Sequence, residues 1–328
     1  MLKLTVLAGI AGLALCSTAS AQDKTLAIVV KGLDNPFFEQ INQGCQKWNR
    51  ENASSGYKCF YTGPASSADE VGEVQIVEDL LNRPDVKAIA ISPSNAPLMA
   101  RMLKQKAPKI PIMTIDADLS KDDAGLRKTY LGTDNYQMGV KFGEHLKKLK
   151  GSGGTICLQL GNVAAANINE RAAGLRDTLA GKKGTDKLAG QGGWNEIAGC
   201  PVFTNDQADL ANQQMADTFT ANPNLTAFVL VGGWAQFAPQ AYAQVTDQVM
   251  AKLKQKSLVI VAGDTLPPQM EALKAGRSHV QVGQRPFEMG YKAPSVMIDL
   301  LNGKTVEPII FTGLDECTSE NAASCIGG

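Results

Sequence analysis

Short apolar runs alternate with helical patterns along almost the whole chain, and this alternation constrains its fold more than any other feature. Over residues 68–81, for example, Val71, Val74 and Val77 recur at the spacing of one helix face. Strands that alternate with helices form parallel sheets with right-handed crossovers. The pattern therefore predicts an α/β fold of the doubly wound kind. The strand-like runs are Leu26–Val30, Tyr57–Tyr61, Ala88–Ile91, Ile110–Ile115, Thr129–Leu131, Thr155–Leu160, Ala227–Val231, Leu258–Ala262, His279–Val282 and Pro308–Phe311.

The alternation is interrupted twice, which indicates two similar lobes. Residues 116–128 are polar and irregular, and residues 281–287 lead into a late helix that is followed by one more strand. A chain that crosses between lobes several times builds a multi-strand hinge. We expect a first lobe of residues 22–132 plus 285–308 and a second lobe of residues 133–284 plus 309–328.

The first 21 residues have the pattern of a signal peptide. Lys3 gives a basic start, Leu4–Leu15 is apolar, and Ala19–Ala21 contains small residues suited to cleavage. The apolar part is shorter than the ~20 residues that span a membrane. A lipid anchor on Cys16 is the weaker alternative, because a leucine precedes that cysteine. The pattern predicts export to the periplasm with cleavage after Ala21.

Six cysteines follow the signal peptide, and an even number in an oxidising compartment predicts disulfides. Six allow 15 pairings, of which those between sequence neighbours fit the strand and helix pattern best. Zinc is disfavoured because C-x-x-C is absent and the chain has only two histidines; buried free thiols remain an alternative. The predicted pairs are Cys45–Cys59, Cys157–Cys200 and Cys317–Cys325.

Charge and size narrow the function classes. Lys plus Arg and Asp plus Glu number 32 each, without a basic stripe, so a nucleic-acid partner is not expected. We also expect no cofactor and no metal. The length suits one large domain or two medium domains.

The loop after the first strand predicts a binding site. Asn35 and Pro36 have the residue types of a helix N-cap and first helical position. Phe37 and Phe38 then fall in the first turn, at the carboxyl edge of a parallel strand, where α/β sheets bind ligands. Two phenyl rings suit the apolar face of a sugar better than a phosphate.

At this point the chain resembles the periplasmic sugar-binding proteins of bacterial ABC importers, in the ribose-binding-like branch of the type I periplasmic binding protein fold. The resemblance runs from about Thr25 to Gly313. Each motif is weak alone, but their order and spacing behind a signal peptide are specific. The segments that carry it are Asp34–Phe38, Ile91–Ser94, Met113–Asp116, Gly132–Asn135, Asn169–Gly174, Val261–Asp264 and Gln284.

The resemblance implies two lobes that close over a monosaccharide, with aromatic rings against its C–H face and charged or amide groups on its hydroxyls. Asp116 and Asp264 would each accept from two hydroxyls, and Arg171 would donate to others. Hydrogen bonds to charged groups contribute roughly 1.5–3 kcal/mol each. The residues that match the family's contacts are Asn35, Phe37, Phe38, Asp116, Arg171, Asp264 and Gln284.

Two departures from the family pattern alter the expected pocket. Ala117 stands where the family usually has arginine, and Lys31, where a small hydroxyl residue is common, could restore that cation. Gly232-Gly233-Trp234 replaces an amide and an acid, so Trp234 would face the phenyl rings. Such a pocket is not shaped for ribose. A hexose, another pentose, an inositol and a linear polyol all remain open.

Each of these residues also has an ordinary structural interpretation. Phe38 lies on one helix stripe with Ile41 and Cys45 and could be core. Asp264 could start a turn or cap a helix, and Arg171 could be a surface charge. Trp234 could be packing, and Gln284 could be a solvated hinge residue.

Three other functions compete with transport. Asp116 and Asp264 could form the carboxylate pair of a glycoside-acting enzyme, but no nucleophile elbow or metal cluster accompanies them. A protein that binds a signalling furanose such as autoinducer-2 would have the same sequence pattern. So would a sugar-binding protein that reports to a chemoreceptor. We predict a monomeric, non-enzymatic binding protein that delivers a monosaccharide or polyol to ABC permease subunits in the membrane.

Overall fold

The structure, a computed structural model, describes residues 24–326 and contains two α/β lobes. The predicted signal peptide and Cys16 lie outside the described residues. The strands are β1 (Lys24–Val29), β2 (Tyr57–Thr62), β3 (Val86–Ile91), β4 (Ile112–Ile115), β5 (Tyr130–Thr133), β6 (Gly154–Leu160), β7 (Trp194–Glu196), β8 (Val202–Phe203), β9 (Ala227–Leu230), β10 (Val259–Gly263), β11 (Val280–Gly283), β12 (Ile309–Thr312) and β13 (Asp315–Thr318). The helices are α1 (Pro36–Glu51), α2 (Glu70–Leu81), α3 (Ala96–Lys106), α4 (Asn135–Leu149), α5 (Ala166–Ala180), α6 (Ala208–Ala221), α7 (Pro239–Asp247), α8 (Met250–Lys254), α9 (Pro267–Lys274) and α10 (Pro286–Leu301).

Each lobe is built on one sheet. The first sheet has the order β12-β5-β4-β3-β1-β2 and is parallel throughout. The second has the order β13-β11-β10-β9-β6-β7, with β8 also paired to β6, and only β13 is antiparallel. The predicted α/β class with two parallel-sheet lobes is confirmed.

Alternation along β1 explains why helices cover both faces of the first sheet. Leu26 and Ile28 face the cluster made with α1 and α10, whereas Ala27 and Val29 face the cluster made with α2 and α3. Successive strand residues point to opposite faces, so a strand buried on both sides is apolar throughout. This is the arrangement that the run of apolar residues predicts.

Between residues 24 and 326 the chain crosses between the lobes three times: after β5, after β11 and after β12. The predicted boundary between residues 308 and 309 is wrong by the length of one strand. Ile309–Thr312 pairs in parallel with β5 of the first sheet, and only β13 joins the second. The apolar residues of β12 extend the first sheet, so the crossing comes at residues 313–314.

Three disulfides join the predicted pairs. Cys45–Cys59 links α1 to β2, and Cys317–Cys325 closes the segment after β13. Cys157 of β6 bonds Cys200. Cys200 lies in the turn before β8 instead of in a strand, so the bond links a strand to a turn. Among residues 24–326, no helix is both long and apolar enough to cross a membrane.

Candidate ligand-binding site

The carboxyl ends of the two sheets line one cavity between the lobes. About 330 Å³ of space between the lining residues, including space open to solvent, is not filled by protein atoms. The structure brings all nine predicted contact residues to this cavity, together with five others. The predicted residues are Lys31, Asn35, Phe37, Phe38, Asp116, Arg171, Trp234, Asp264 and Gln284; the others are Asn167, Ile168, Asp206, Gly232 and Phe237.

The first turn of α1 places two phenyl rings on the cavity wall. The Asn35 side chain caps the helix by accepting a hydrogen bond from the backbone N–H of Phe37 at 3.0 Å. Phe37 and Phe38 pack edge to face with ring centroids 5.3 Å apart. Both rings are buried in the core cluster and also line the cavity. The two rings are therefore core residues that also face the cavity.

Asp116 follows β4 in a conformation that only a few non-glycine residues adopt. Its φ is +63°, in the left-handed region. Its carboxylate accepts a hydrogen bond from the Ser92 hydroxyl at 2.7 Å, and its backbone oxygen accepts one from the Tyr130 hydroxyl at 2.8 Å. These bonds hold the carboxylate at the cavity despite the backbone strain.

Lys31 supplies a cation from the first lobe. It is 3% exposed, and its ammonium donates to the Asn167 side-chain oxygen at 3.2 Å. Asn167 lies in the first turn of α5, in the second lobe. The lysine therefore sits in the cavity wall and also bridges the two lobes.

Arg171 supplies the second cation from the buried side of α5. Its Nε donates to the Asn135 side chain at 2.9 Å, and Nη1 donates to the Val231 carbonyl at 3.2 Å. Nη2 is buried and has no hydrogen-bond partner among the described residues. A buried donor without an acceptor costs free energy, and a ligand oxygen in the cavity would satisfy it. The surface-charge interpretation of Arg171 is wrong, since the residue is 2% exposed.

Asp264 follows β10 and also has a positive φ, +71°. Its carboxylate accepts from the Gln284 amide at 2.8 Å, and the Gln284 oxygen accepts from the Thr133 hydroxyl at 2.8 Å. Burial raises the pKa of Asp264, with Arg171 opposing that rise. Gln284 is buried and not a solvated hinge residue. The hydrogen-bonded side chains of Asp264, Gln284 and Thr133 therefore connect the cavity with the crossings after β5 and β11.

The Trp234 indole lies on two glycines. A Cβ atom at Gly161 would come within 2.7 Å of the ring, and one at Gly232 within 2.6 Å. Glycine at these positions lets the ring lie against the backbone after β6 and β9. Trp234 belongs to the second lobe's core cluster and also lines the cavity.

Asp206 is the main residue that the sequence interpretation missed. It follows β8, has a φ of +61°, and accepts from the Asn162 backbone N–H at 3.2 Å. Burial raises its pKa, and Lys31 is the strongest opposing influence. Its strand has only two residues, too few for a periodic signal. Asp206 nevertheless follows a strand, as Asp116 and Asp264 do. The polar residues after Val202 and Phe203 could therefore have identified it from the sequence.

The cavity combines flat rings with three carboxylates and two cations. Carboxylates accept, the cations donate, and the amides of Asn167 and Gln284 can do both. This set matches a neutral molecule with several hydroxyl groups. No cluster of three or more metal-ligating side chains occurs in the part of the chain that the structure describes.

Comparison with known proteins identifies the family. A model described as a periplasmic binding protein domain matches residues 26–305. The chain belongs to this family. It is 25% identical over 315 residues to the ribose import binding protein of Salmonella typhimurium, covering 94% of this chain and 95% of that protein. The D-allose-binding periplasmic protein of Escherichia coli is 24% identical over 301 residues, with 89% of each chain covered.

Solved structures of ABC transporter solute binding proteins have a similar architecture. An ABC transporter solute binding protein from Burkholderia graminis, in complex with D-arabinose, is 28% identical with a TM-score of 0.77, covering 93% of this chain and 98% of that one. One from Agrobacterium vitis with bound D-fucose is 23% identical with a TM-score of 0.79, covering 92% and 97%. The second supports the fold alone.

Proposed function

We propose that this chain is the substrate-binding component of an ABC importer, exported to the periplasm, and that it binds a monosaccharide or polyol between its lobes. The observation that carries the proposal is the cavity itself. Rings from opposite lobes line it, and so do two hydrogen-bonded carboxylates and Arg171, whose buried Nη2 has no partner among residues 24–326.

The lining residues would contribute two kinds of contact to a bound sugar, apolar packing and hydrogen bonds. Phe37, Phe38 and Trp234 would contact the apolar faces of the ring. Asp116 and Asp264 would accept from hydroxyl pairs, and Arg171 would donate through Nη2. Hydrogen bonds of this charged kind contribute roughly 1.5–3 kcal/mol each when buried. A few of them are enough for micromolar binding, after the cost of ordering the ligand is subtracted.

Closure follows from the placement of these groups on both lobes. A ligand that contacts both lobes favours the closed state by its differential affinity, and the three crossings are the hinge. The closed, loaded protein would then deliver its ligand to the permease as a monomer. The family and the named ligands of its relatives, which are ribose, D-allose and D-arabinose, support a sugar.

The ligand of this chain need not be ribose. Ala117 is buried beside Asp116, where the resembling proteins usually have arginine, and Lys31 supplies a cation from another strand. Trp234 adds an aromatic wall. We propose a pentose or hexose whose second face packs on an indole.

A thermal-shift screen against sugars, inositols and polyols tests the proposal. A ligand at about 100 times its dissociation constant stabilises the protein by about 2.7 kcal/mol. The Asp264→Ala variant should lose the shift, whereas Asp217→Ala, an exposed change on α6, should keep it. If no sugar or polyol shifts the parent protein, the proposal is wrong. Release of a cleaved product would favour the enzyme alternative.

A further inference from the structure

One contact between the lobes lies outside the cavity, at the rim of the cleft. Glu70, the first residue of α2, accepts a hydrogen bond from the side-chain amide of Asn162 in the loop after β6. Its other carboxylate oxygen accepts from the Asn95 amide at 2.6 Å. Glu70 and Asn95 belong to the first lobe and Asn162 to the second. None of the three lines the cavity.

Both amides are fixed so that their NH₂ groups point at Glu70. The Asn95 oxygen caps α3 by accepting from the Leu98 backbone N–H at 3.0 Å. The Asn162 oxygen accepts from the Ala164 backbone N–H at 2.8 Å. Turning either amide over would break its backbone hydrogen bond. Two donors therefore converge on one side chain, and only a carboxylate offers an acceptor oxygen to each.

The surroundings favour a charged group at this position. Glu70 lies in the first turn of α2, where the helix dipole stabilises negative charge. Beside it, the Ala96 backbone N–H donates to the Ala164 carbonyl at 3.4 Å, so the same two loops also meet through their backbones. The bond from Asn162 to Glu70 exists only while these loops are together, so opening the cleft would break it.

We propose that Glu70 is a latch: a positioning residue that holds the lobes closed and so prolongs the residence of the ligand without touching it. The inference rests on the proposed function for its ligand. A contact present in only one of two states shifts their equilibrium toward that state. The latch therefore acts mainly on ligand dissociation, because it must break before the cleft opens.

The test measures dissociation constants and dissociation rates with the sugar found in the thermal screen. Glu70→Gln replaces one acceptor oxygen with an NH₂ group, which then faces another NH₂ group. We expect the dissociation constant to rise about tenfold, mostly through the dissociation rate. This corresponds to loss of one hydrogen bond to a charged group. Asn162→Asp alone sets two carboxylates together and should have a larger effect.

The double variant Glu70→Gln with Asn162→Asp separates a latch from a general structural role. It exchanges donor and acceptor across the cleft, keeps an oxygen for the Ala164 backbone and restores the hydrogen bond. We expect it to recover most of the parent affinity. Glu78→Gln is the control, since Glu78 lies on the same helix and pairs with exposed Lys106; its affinity should be unchanged.

Parent-like affinity and dissociation rate in Glu70→Gln would overturn the latch. The latch would also be overturned if the double variant bound the sugar no more tightly than the weaker-binding single variant. If the parent binds no sugar while Glu70→Gln is folded, the proposed function fails instead. The latch is then judged by small-angle scattering of the free protein: a larger radius of gyration in Glu70→Gln supports it, and an unchanged radius overturns it.

Discussion

Both lobes present an aspartate at the same place, yet they hold it differently. Asp116 ends β4 and Asp264 ends β10, each with a left-handed backbone. The first carboxylate is held by Ser92, a neighbour within its own lobe. The second is held by Gln284, which is bonded in turn to Thr133 of the first sheet. The first contact is local, whereas the second spans the hinge.

The difference teaches how binding and closure are coupled. Gln284 and Thr133 stand at two of the three crossings between the lobes. A ligand bound to Asp264 would therefore act on the hinge through Gln284 and Thr133, whereas the hydrogen bonds of Asp116 stay within the first lobe.

The lobes also differ in the carboxylates that they bury away from the cavity. Glu196 of the second lobe is paired with Arg176 by two hydrogen bonds, at 2.7 and 2.9 Å. Within residues 24–326, one oxygen of Glu73 in the first lobe accepts from Ser94, and the other oxygen is buried without a partner. Burial raises the pKa of Glu73 to about 7. One lobe buries a charge with its counter-ion, and the other buries a group that prefers to be neutral.

The largest expected effect is on stability, and it has opposite signs in the two lobes. Glu196→Gln removes a fully buried carboxylate, leaves the partly buried Arg176 without its counter-ion and should destabilise the protein by roughly 3–5 kcal/mol. Glu73→Gln mimics the protonated acid and should stabilise the protein at pH 8 by about 2–3 kcal/mol. Denaturant unfolding measures both changes.

The raised pKa of Glu73 determines how the effect of Glu73→Gln on stability changes with pH. A raised folded-state pKa means that the folded protein binds more protons, so its stability falls as pH rises from about 4.5 to about 7. The advantage of Glu73→Gln should therefore grow over that range and level off above it. An advantage that is the same at pH 5 and pH 8 would contradict the account of Glu73.

The next largest expected effect is on sugar affinity, and it differs between the two strand-end aspartates, Asp264 and Asp116. Asp264→Ala should weaken sugar binding about a hundredfold, because it removes an acceptor for two hydroxyls and leaves the Gln284 amide unpaired. Asp116→Ala should weaken binding about tenfold, since the Ser92 hydroxyl can rotate to another partner. Titration calorimetry measures both. Equal losses would mean that the hinge connection does not matter.

Acid should weaken binding by up to about tenfold per pH unit for each carboxylate that is protonated. Burial raises the pKa of both Asp206 and Asp264. Their loss as acceptors should therefore begin above the ordinary range of aspartate, near 3.9. Calorimetry from pH 7 downward tests this, with Asp206→Asn removing one of the two contributions. A dissociation constant that stays flat down to pH 4 would contradict it.

The smallest effect is optical. Of the three tryptophans, all within residues 24–326, Trp234 alone lines the cavity, whereas Trp48 and Trp194 lie in the cores of the two lobes. Sugar should change the fluorescence of the parent protein and of Trp48→Phe and Trp194→Phe. Trp234→Phe should not respond. A response that persists without Trp234 would place the reporting ring elsewhere.

Elements with a strong apolar pattern were predicted from the sequence, whereas strands too short or too polar to have one were missed. β7, β8 and β13 have three, two and four residues, and β13 is a polar edge strand. Asp206 was missed for the same reason, since it follows the shortest of them. The boundary after β12 depends on which sheet that strand joins, and its residues fit either.

The nine predicted contact residues reach one cavity because strand-end positions meet wherever parallel sheets form. The side-chain bonds among them are less predictable. The contact between Glu70 and Asn162 joins residues 92 positions apart and exists only because two lobes meet at one angle. The angle between the lobes cannot be predicted from local periodicity or from the spacing of motifs.

A crystal structure with the sugar that gives the largest thermal shift tests the central claim most directly. The account predicts one sugar ring between the phenyl rings of α1 and the Trp234 indole, with hydroxyls on Asp264 and on Nη2 of Arg171. A sugar bound outside this cleft, or bound within it without contact to either lobe's carboxylate, would contradict the account.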